Sequence, residues 1–358
     1  MNKPKILIIS PACNLGGGEI YLQNLLPYLL ADYDVTLLGP RFAKKLFSAQ
    51  VKAQWLPLFP KSLDKLLVRT HKIKKIYYRL LFTLFRNLKQ YDLVNLQWFD
   101  GALIEAIKVR PIVLTLHTGF LIPRQHDAYV ARLLNDLDRT ICVSQAARGQ
   151  LVERGVDTSK CTVIHNAVDS KKFAFSATPG SHVTWIGRVE AADKNPQLFV
   201  DIAAAASAQK LPYKFRLVGA GAALAAIKAK CPPNLELTGF QSPEQMAKIY
   251  KEASILCMTS TSEGLPLTAL EAMASGVPVV ATAVGGLTDL LLGGAGVLAD
   301  KPAAESMLGQ IDSLLQNPDR YEQIRRTARA KIEKQYSIDQ LASDTKQVYD
   351  ELISGAKR

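Results

Sequence analysis

Four side chains of the second half of the chain could do chemistry together. Arg188 and Lys194 stand six apart in Trp185-Ile186-Gly187-Arg188-Val189-Glu190-Ala191-Ala192-Asp193-Lys194-Asn195-Pro196. An arginine can hold two phosphate oxygens in a fork and a lysine adds a mobile point charge, so the pair suits a diphosphate. Two such cations could replace a divalent metal in stabilising a departing diphosphate. Glu263 and Glu271 stand eight apart in Ser260-Thr261-Ser262-Glu263-Gly264-Leu265-Pro266-Leu267-Thr268-Ala269-Leu270-Glu271-Ala272-Met273-Ala274-Ser275-Gly276-Val277-Pro278. Their carboxylates could accept hydrogen bonds from neutral hydroxyls beside an anion. A sugar attached to a phosphate fits that description, and a capped surface helix with solvated acids is the plainer alternative.

The surrounding residues predict how those groups are held. Pro266 suits the first turn of a helix, where its missing N–H is no loss. The helix should run to about Ser275 and stop at Gly276, with Pro278 preventing continuation. Its N-terminus presents unpaired N–H groups to an anion. Gly187 precedes Arg188 at the end of a predicted strand, where open sheets bind ligands. Val218-Gly219-Ala220-Gly221 is half of a dinucleotide fingerprint without its third glycine. Thr238-Gly239-Phe240 is a turn whose backbone could meet a base.

The first half offers a second set. Gly16-Gly17-Gly18-Glu19 follows the first predicted strand and opens a helix, letting backbone approach a bulky ligand. The spacing departs from Gly-x-Gly-x-x-Gly, which disfavours a dinucleotide-dependent oxidoreductase. His117 follows the apolar run Ile112–Leu116. The other histidines, His71, His126, His165 and His182, show no metal-ligand spacing.

Elements that could position these residues alternate as strands and helices, the pattern of parallel sheets flanked by helices. Strands are expected at Lys5–Ser10, Val35–Leu38, Leu93–Leu96, Ile112–Leu116, Thr140–Val143 and Thr162–Ile164. A second series is expected at Val183–Ile186, Lys214–Val218, Leu235–Thr238, Ile255–Met258 and Val279–Ala281. Helices are expected at Glu19–Leu30, Ala128–Asp136 and Ile338 to about Leu352. With 358 residues, two domains are expected. The polar stretch Asp169–Ser181 suggests residues 1–171 with 336–358 as one and 172–335 as the other, facing across a cleft.

Five scattered cysteines without a Cys-x-x-Cys pair argue against a disulfide framework or structural zinc and favour a reducing cytoplasm. The net charge of +12 asks for an anionic partner. Residues 61–89 carry nine Lys or Arg against Asp64 alone. On a helix, their apolar residues cluster opposite Lys61, Lys65, Arg69, Lys72, Lys75, Arg79 and Arg86. That face could pack on the first domain, or lie on anionic lipid as a peripheral attachment to the inner face of a membrane. Nucleic acid ranks third, for want of exposed aromatics and of a known motif context.

In order along the chain, Gly16-Gly17-Gly18, His117, Ser144 with Asn166-Ala167-Val168-Asp169, Gly187-Arg188 with Lys194, and Glu263 followed by Glu271 resemble glycosyltransferase family 4. The resemblance spans nearly the whole sequence. It implies a GT-B fold of two Rossmann-like doubly wound domains, the second binding a nucleotide sugar and the first the acceptor. It implies retention of anomeric configuration without a catalytic metal or other cofactor. By this resemblance Arg188 and Lys194 hold the diphosphate, Gly17 and Gly18 approach it, and Glu271 binds ribose. Glu263 and His117 contact the sugar, and backbone at Gly264, Leu265, Pro266 and Leu267 contacts sugar and phosphate. Ala167 departs from the glycine usual after Asn in the family. The expected reaction moves a hexose-type sugar to a hydroxyl of a lipid-linked glycan or a lipopolysaccharide- or capsule-type saccharide. A sugar-nucleotide epimerase of the same fold and a sugar-nucleotide-binding subunit inactive without a partner remain as alternatives.

Overall fold

The computed structural model describes residues 2–10, 16–39, 54–56, 88–107, 109, 111–117, 124–299 and 301–356. The chain divides into two compact units, Met1–His165 with Ile338–Arg358, and Asn166–Ser337.

The first unit is built on a parallel sheet. Its strands are β1 (Lys5–Ile9), β2 (Asp34–Leu38), β3 (Gln54–Leu56), β4 (Leu93–Leu96), β5 (Ile112–Leu116), β6 (Arg139–Cys142) and β7 (Cys161–Val163), in the order β3-β2-β1-β4-β5-β6-β7. Strands β4 and β5 are buried along their whole length, as strands covered on both faces must be. Lys5 is the exposed first residue of β1, and the four residues after it are buried. The order reverses between β1 and β4, and the residues that follow them, Gly16–Gly18 and Gln97, lie after their carboxyl ends. The last helix, Ile338–Ala356, belongs to this unit and packs on the helix Gly17–Asp32. Tyr33 Oη donates to Asp350 Oδ1 at 2.8 Å, and its ring meets that of Tyr349 edge-on.

The second unit repeats the plan with β8 (His182–Ile186), β9 (Lys214–Val218), β10 (Leu235–Gly239), β11 (Ala253–Met258), β12 (Val279–Thr282) and β13 (Val297–Ala299), ordered β10-β9-β8-β11-β12-β13. Both sheets therefore have the doubly wound Rossmann arrangement. The core of the second gathers Trp185, Phe199, Phe215, Ile255 and Ile311 around the sheet.

The expected strands are found, each end within two residues of its expected position. Two were not anticipated, β3 and β13, both three residues long. The unit boundary lies at 165/166, upstream of the expected 171/172. Asn166 Nδ2 donates to Leu265 O at 2.6 Å and Val168 N to Tyr336 O at 3.0 Å, which ties this stretch to the second unit. Ala167 has no positive φ, so this turn does not require a glycine there.

Candidate functional site

The loop after β8 delivers Lys194. Gly187 N donates to Val218 O, and Gly219, at φ +146°, lies so close that a Cβ there would be 1.9 Å from Gly187 O. Further along, Trp185 Nε1 donates to Thr259 Oγ1 at 3.0 Å, and that hydroxyl faces Asn195 O at 2.8 Å. Thr261 N reaches Asp193 O at 2.9 Å. Asn195 takes a left-handed conformation, φ 44°, immediately before the helix Pro196–Ala208. The loop is thus stitched to the segment that follows β11.

Those stitches bring Lys194 onto Glu263. Its Nζ lies 2.7 Å from Oε1 and 2.8 Å from Oε2, and Ser260 Oγ donates to Oε1 at 2.6 Å. The Glu263 side chain is only 6% exposed. A lysine ammonium has three donors, so one remains for a ligand oxygen. Ser260 is fixed in turn by Thr282 Oγ1 on its carbonyl, at 2.5 Å. Gly285, at φ +51°, lets its backbone pass against Glu263, where a Cβ would sit 1.8 Å from Glu263 O. Gly286 N then donates to Gly264 O at 2.8 Å.

The helix that follows runs Leu267–Ala274. Pro266 is its N-cap, extended at ψ 125°, one position earlier than the expected first-turn residue. Among the described residues no side chain caps this end. The first N–H groups of a helix have no intrahelical acceptor and carry partial positive charge. Asn166 holds the approach by its bond to Leu265 O. Gly276, at φ +75°, ends the helix as the sequence implies, and a Cβ there would meet Phe175.

Glu271 is not solvated: it is buried, and Tyr250 Oη donates to its Oε2 at 2.8 Å. Burial raises its carboxyl pKa to about 7, against the opposing effect of the Tyr250 hydrogen bond. Arg188 is the open member of the set, with a side chain 58% exposed. Its Nη2 donates to Asp193 Oδ2 at 2.9 Å, and Nη1 lies 3.8 Å from Glu190. Gly239 takes φ +71° at the end of β10 with open space where a Cβ would be.

In the first unit, Gly17 and Gly18 begin the helix that follows β1, and Gly16 N donates to Glu19 Oε2 at 2.8 Å. A Cβ on Gly18 would lie 3.5 Å from the His117 ring, whereas Gly17 faces open space. His117 follows β5, with Nε2 2.9 Å from Gln97 Oε1. The Tyr21 ring meets its edge at a centroid distance of 4.7 Å. Burial lowers the His117 pKa to about 4, so the imidazole is neutral at ordinary pH.

The structure therefore joins Lys194 to Glu263, two residues the sequence assigned to different parts of a ligand, and pairs Arg188 with Asp193 and Glu190. Ser260, Tyr250 and Gln97 escaped the sequence reading. Ser260 had a signal, being three residues before Glu263 on one loop. Tyr250 and Gln97 had none, because distant elements supply them. The basic face within 61–89 lies outside the described residues up to 87. Among the described residues no group of three or more His, Cys, Asp or Glu is placed to hold a metal ion. Among the described residues no helix is long and apolar enough to cross a membrane.

Two doubly wound Rossmann-type sheets define the class of fold, and the sequence comparisons define the family. Residues 171–331 match Glycosyl transferases group 1 and residues 15–172 match Glycosyltransferase Family 4. The chain belongs to the family 4, group 1 glycosyltransferases. Among curated relatives it is 28% identical, over 70% of its own length and 72% of the other's, to an uncharacterized glycosyltransferase of Methanocaldococcus jannaschii. It is 29% identical, over 62% of its length and 58% of the other's, to a D-inositol 3-phosphate glycosyltransferase of Segniliparus rotundus. In fold it is similar to Anabaena Alr3699/HepE in complex with UDP-glucose, with TM-score 0.78, 17% identity, and coverage of 97% of this chain and 100% of that one. These similarities and the two doubly wound sheets give the chain a GT-B fold.

Proposed function

We propose that the protein transfers a hexose-type sugar from a nucleotide-diphosphate sugar to a hydroxyl acceptor, with retention of anomeric configuration and without a metal. The observation that carries this reading is the Lys194–Glu263–Ser260 cluster near an uncapped helix start. An ammonium with one free donor and a row of unpaired N–H groups suit a diphosphate, while the lysine-bonded carboxylate keeps acceptor capacity for a sugar hydroxyl. A relative's structure with UDP-glucose bound supports the donor class.

In this mechanism the C1–phosphate bond breaks largely ahead of acceptor attack. Negative charge grows on the leaving diphosphate and is stabilised by Lys194, Arg188 and the helix start at Leu267, so that electrostatic preorganisation lowers the barrier. A donor phosphate oxygen takes the acceptor proton on the same face. Glu271 accepts from ribose hydroxyls. Gly187, Gly239, Gly264, Leu265, Pro266 and Leu267 contribute backbone. The basic segment at 61–89 supports an acceptor presented on an anionic surface, such as a lipid-linked glycan or lipopolysaccharide-type saccharide.

A panel of nucleotide sugars tests the donor. A ligand that binds the native state raises its melting temperature by mass action. UDP-glucose or another nucleotide sugar should stabilise the protein more than the free sugar does. No stabilisation by any of them would remove the proposal.

A further inference from the structure

Tyr250 stands on the helix Met246–Glu252, just before β11, and is fully buried. A buried phenol hydroxyl is costly unless bonded, so its partners show what it is for. Oη lies 2.8 Å from Glu271 Oε2 and 3.2 Å from Thr268 O, both on the helix Leu267–Ala274. The hydroxyl has one hydrogen, and either atom can accept it. A carboxylate is the stronger acceptor, so the hydrogen goes to Oε2 while Glu271 is ionised. Once Glu271 takes a proton, its own O–H can donate to Oη, and the phenol hydrogen turns to the Thr268 carbonyl, which can only accept. The buried carboxyl therefore has a partner in either state.

The phenol ring is held in place by its neighbours. Phe173 meets it edge-on at a centroid distance of 5.7 Å. Arg329 Nη1 donates to Phe173 O at 3.0 Å and also to Ala274 O, at the end of the helix that carries Glu271, at 2.6 Å. Ring and carboxyl thus share one frame within the second unit. Burial, and after it Glu271, pushes the phenol pKa well above its usual value, so Tyr250 keeps its proton. Among the described residues, Lys172 is the other charged group that acts on Glu271, and it favours the carboxylate as Tyr250 does.

We infer that Tyr250 is a positioning residue for Glu271: its hydroxyl holds Oε2, leaves Oε1 to accept from a ribose hydroxyl of the nucleotide, and turns to Thr268 O when the carboxyl is protonated. The ribose part rests on the proposed function, whereas the pairing of phenol and carboxyl does not. Tyr250 acts through Glu271 and not on the substrate. By favouring the charged state it keeps more of Glu271 ionised near neutral pH than burial alone would allow.

The test is a pH titration of the Glu271 carboxyl carbon by NMR, on ligand-free full-length protein labelled in glutamate, with the signal assigned by its loss in Glu271→Gln. Wild type should titrate with a midpoint of about 7. Tyr250→Phe keeps the ring and removes the hydroxyl. The carboxylate then loses a hydrogen bond to a charged group and the acid only a neutral one. Glu271 should bind its proton about 5- to 10-fold more tightly, and the midpoint should rise. An unmoved or lowered midpoint in folded Tyr250→Phe would overturn the inference. Turnover of UDP-glucose and of GDP-glucose near neutral pH supplies the second readout. For whichever is used, Tyr250→Phe should raise KM about 5-fold or more and leave kcat within about twofold, the mark of lost ground-state binding. Equal KM in the two proteins would also overturn the inference, because a merely structural tyrosine would alter the melting temperature alone. If the midpoint moves as expected but wild type neither binds nor turns over a nucleotide sugar, the ribose role falls with the functional reading and the pairing stands.

Discussion

Glu271 should make donor affinity depend on pH, with a midpoint at its carboxyl pKa of about 7. As a carboxylate it can accept from both ribose hydroxyls, while Tyr250 already donates to Oε2. Protonation removes acceptor capacity. A hydrogen bond to a charged group contributes about 1.5–3 kcal/mol, and a single carboxyl of pKa about 7 caps the loss at pH 5.5, so affinity should fall about 10- to 30-fold between pH 8 and pH 5.5. A nucleotide-diphosphate sugar is a diester and does not itself titrate across that range, so the effect reports on the protein. Isothermal titration with UDP-glucose, or with whichever nucleotide sugar stabilises the protein most, measures it. Glu271→Gln should bind weakly and without this pH dependence. Stability of the empty protein should change in the opposite sense. The folded-state pKa lies above the usual 4.5, so the stabilising contribution is full below about pH 4.5 and is lost as pH rises through about 7. A rise from 4.5 to about 7 corresponds to about 3 kcal/mol, visible in calorimetric scans of wild type against Glu271→Gln. A flat affinity profile, or the same slope in Glu271→Gln, would refute the reasoning.

Other substitutions address the rest of the site. Lys194→Met should destabilise the second unit by leaving the buried Glu263 carboxylate with Ser260 as its remaining side-chain donor, whereas Lys194→Met with Glu263→Gln should recover about half of that loss or more in chemical unfolding. Gly285→Ala should lower the melting temperature and abolish donor binding, because its Cβ would overlap Glu263 O and displace the loop. The full chain should float with anionic vesicles at low salt, and less so once lysines of residues 61–89 are changed to glutamine; equal flotation of the two proteins would dismiss the basic face as a membrane contact.

Much of this arrangement is written in local pattern. Mainly apolar stretches such as Leu93–Leu96 and Ile112–Leu116 coincide with β4 and β5, which are buried along their length, and the one polar residue in each, Asn95 and Thr115, bonds to the other. The helix start near Pro266 and its stop at Gly276 are equally local, depending on one fixed φ and one positive φ. Partnerships are another matter. Lys194 and Glu263 are 69 residues apart, and Tyr250 reaches Glu271 from a separate helix, so neither pairing has a periodic trace. Gln97 looks like an ordinary polar residue after a strand until the bonds to Asn95 and His117 are seen. Strands β3 and β13, at three residues each, are too short to show alternation. Composition marks the polar stretch after Asp169, while the hydrogen bonds of Asn166 and Val168 hold residues 166–171 with the second compact unit.

The central claim is that Lys194 and Arg188 stabilise charge on a departing diphosphate. Its most direct test is turnover of the stabilising nucleotide sugar at saturating donor, followed by release of nucleoside diphosphate, in wild type, Arg188→Ala and Lys194→Ala. Loss of one preorganised contact of this kind costs about 10²–10³ in rate, and that loss is expected for each variant with the fold intact. Full turnover by both variants would contradict the account.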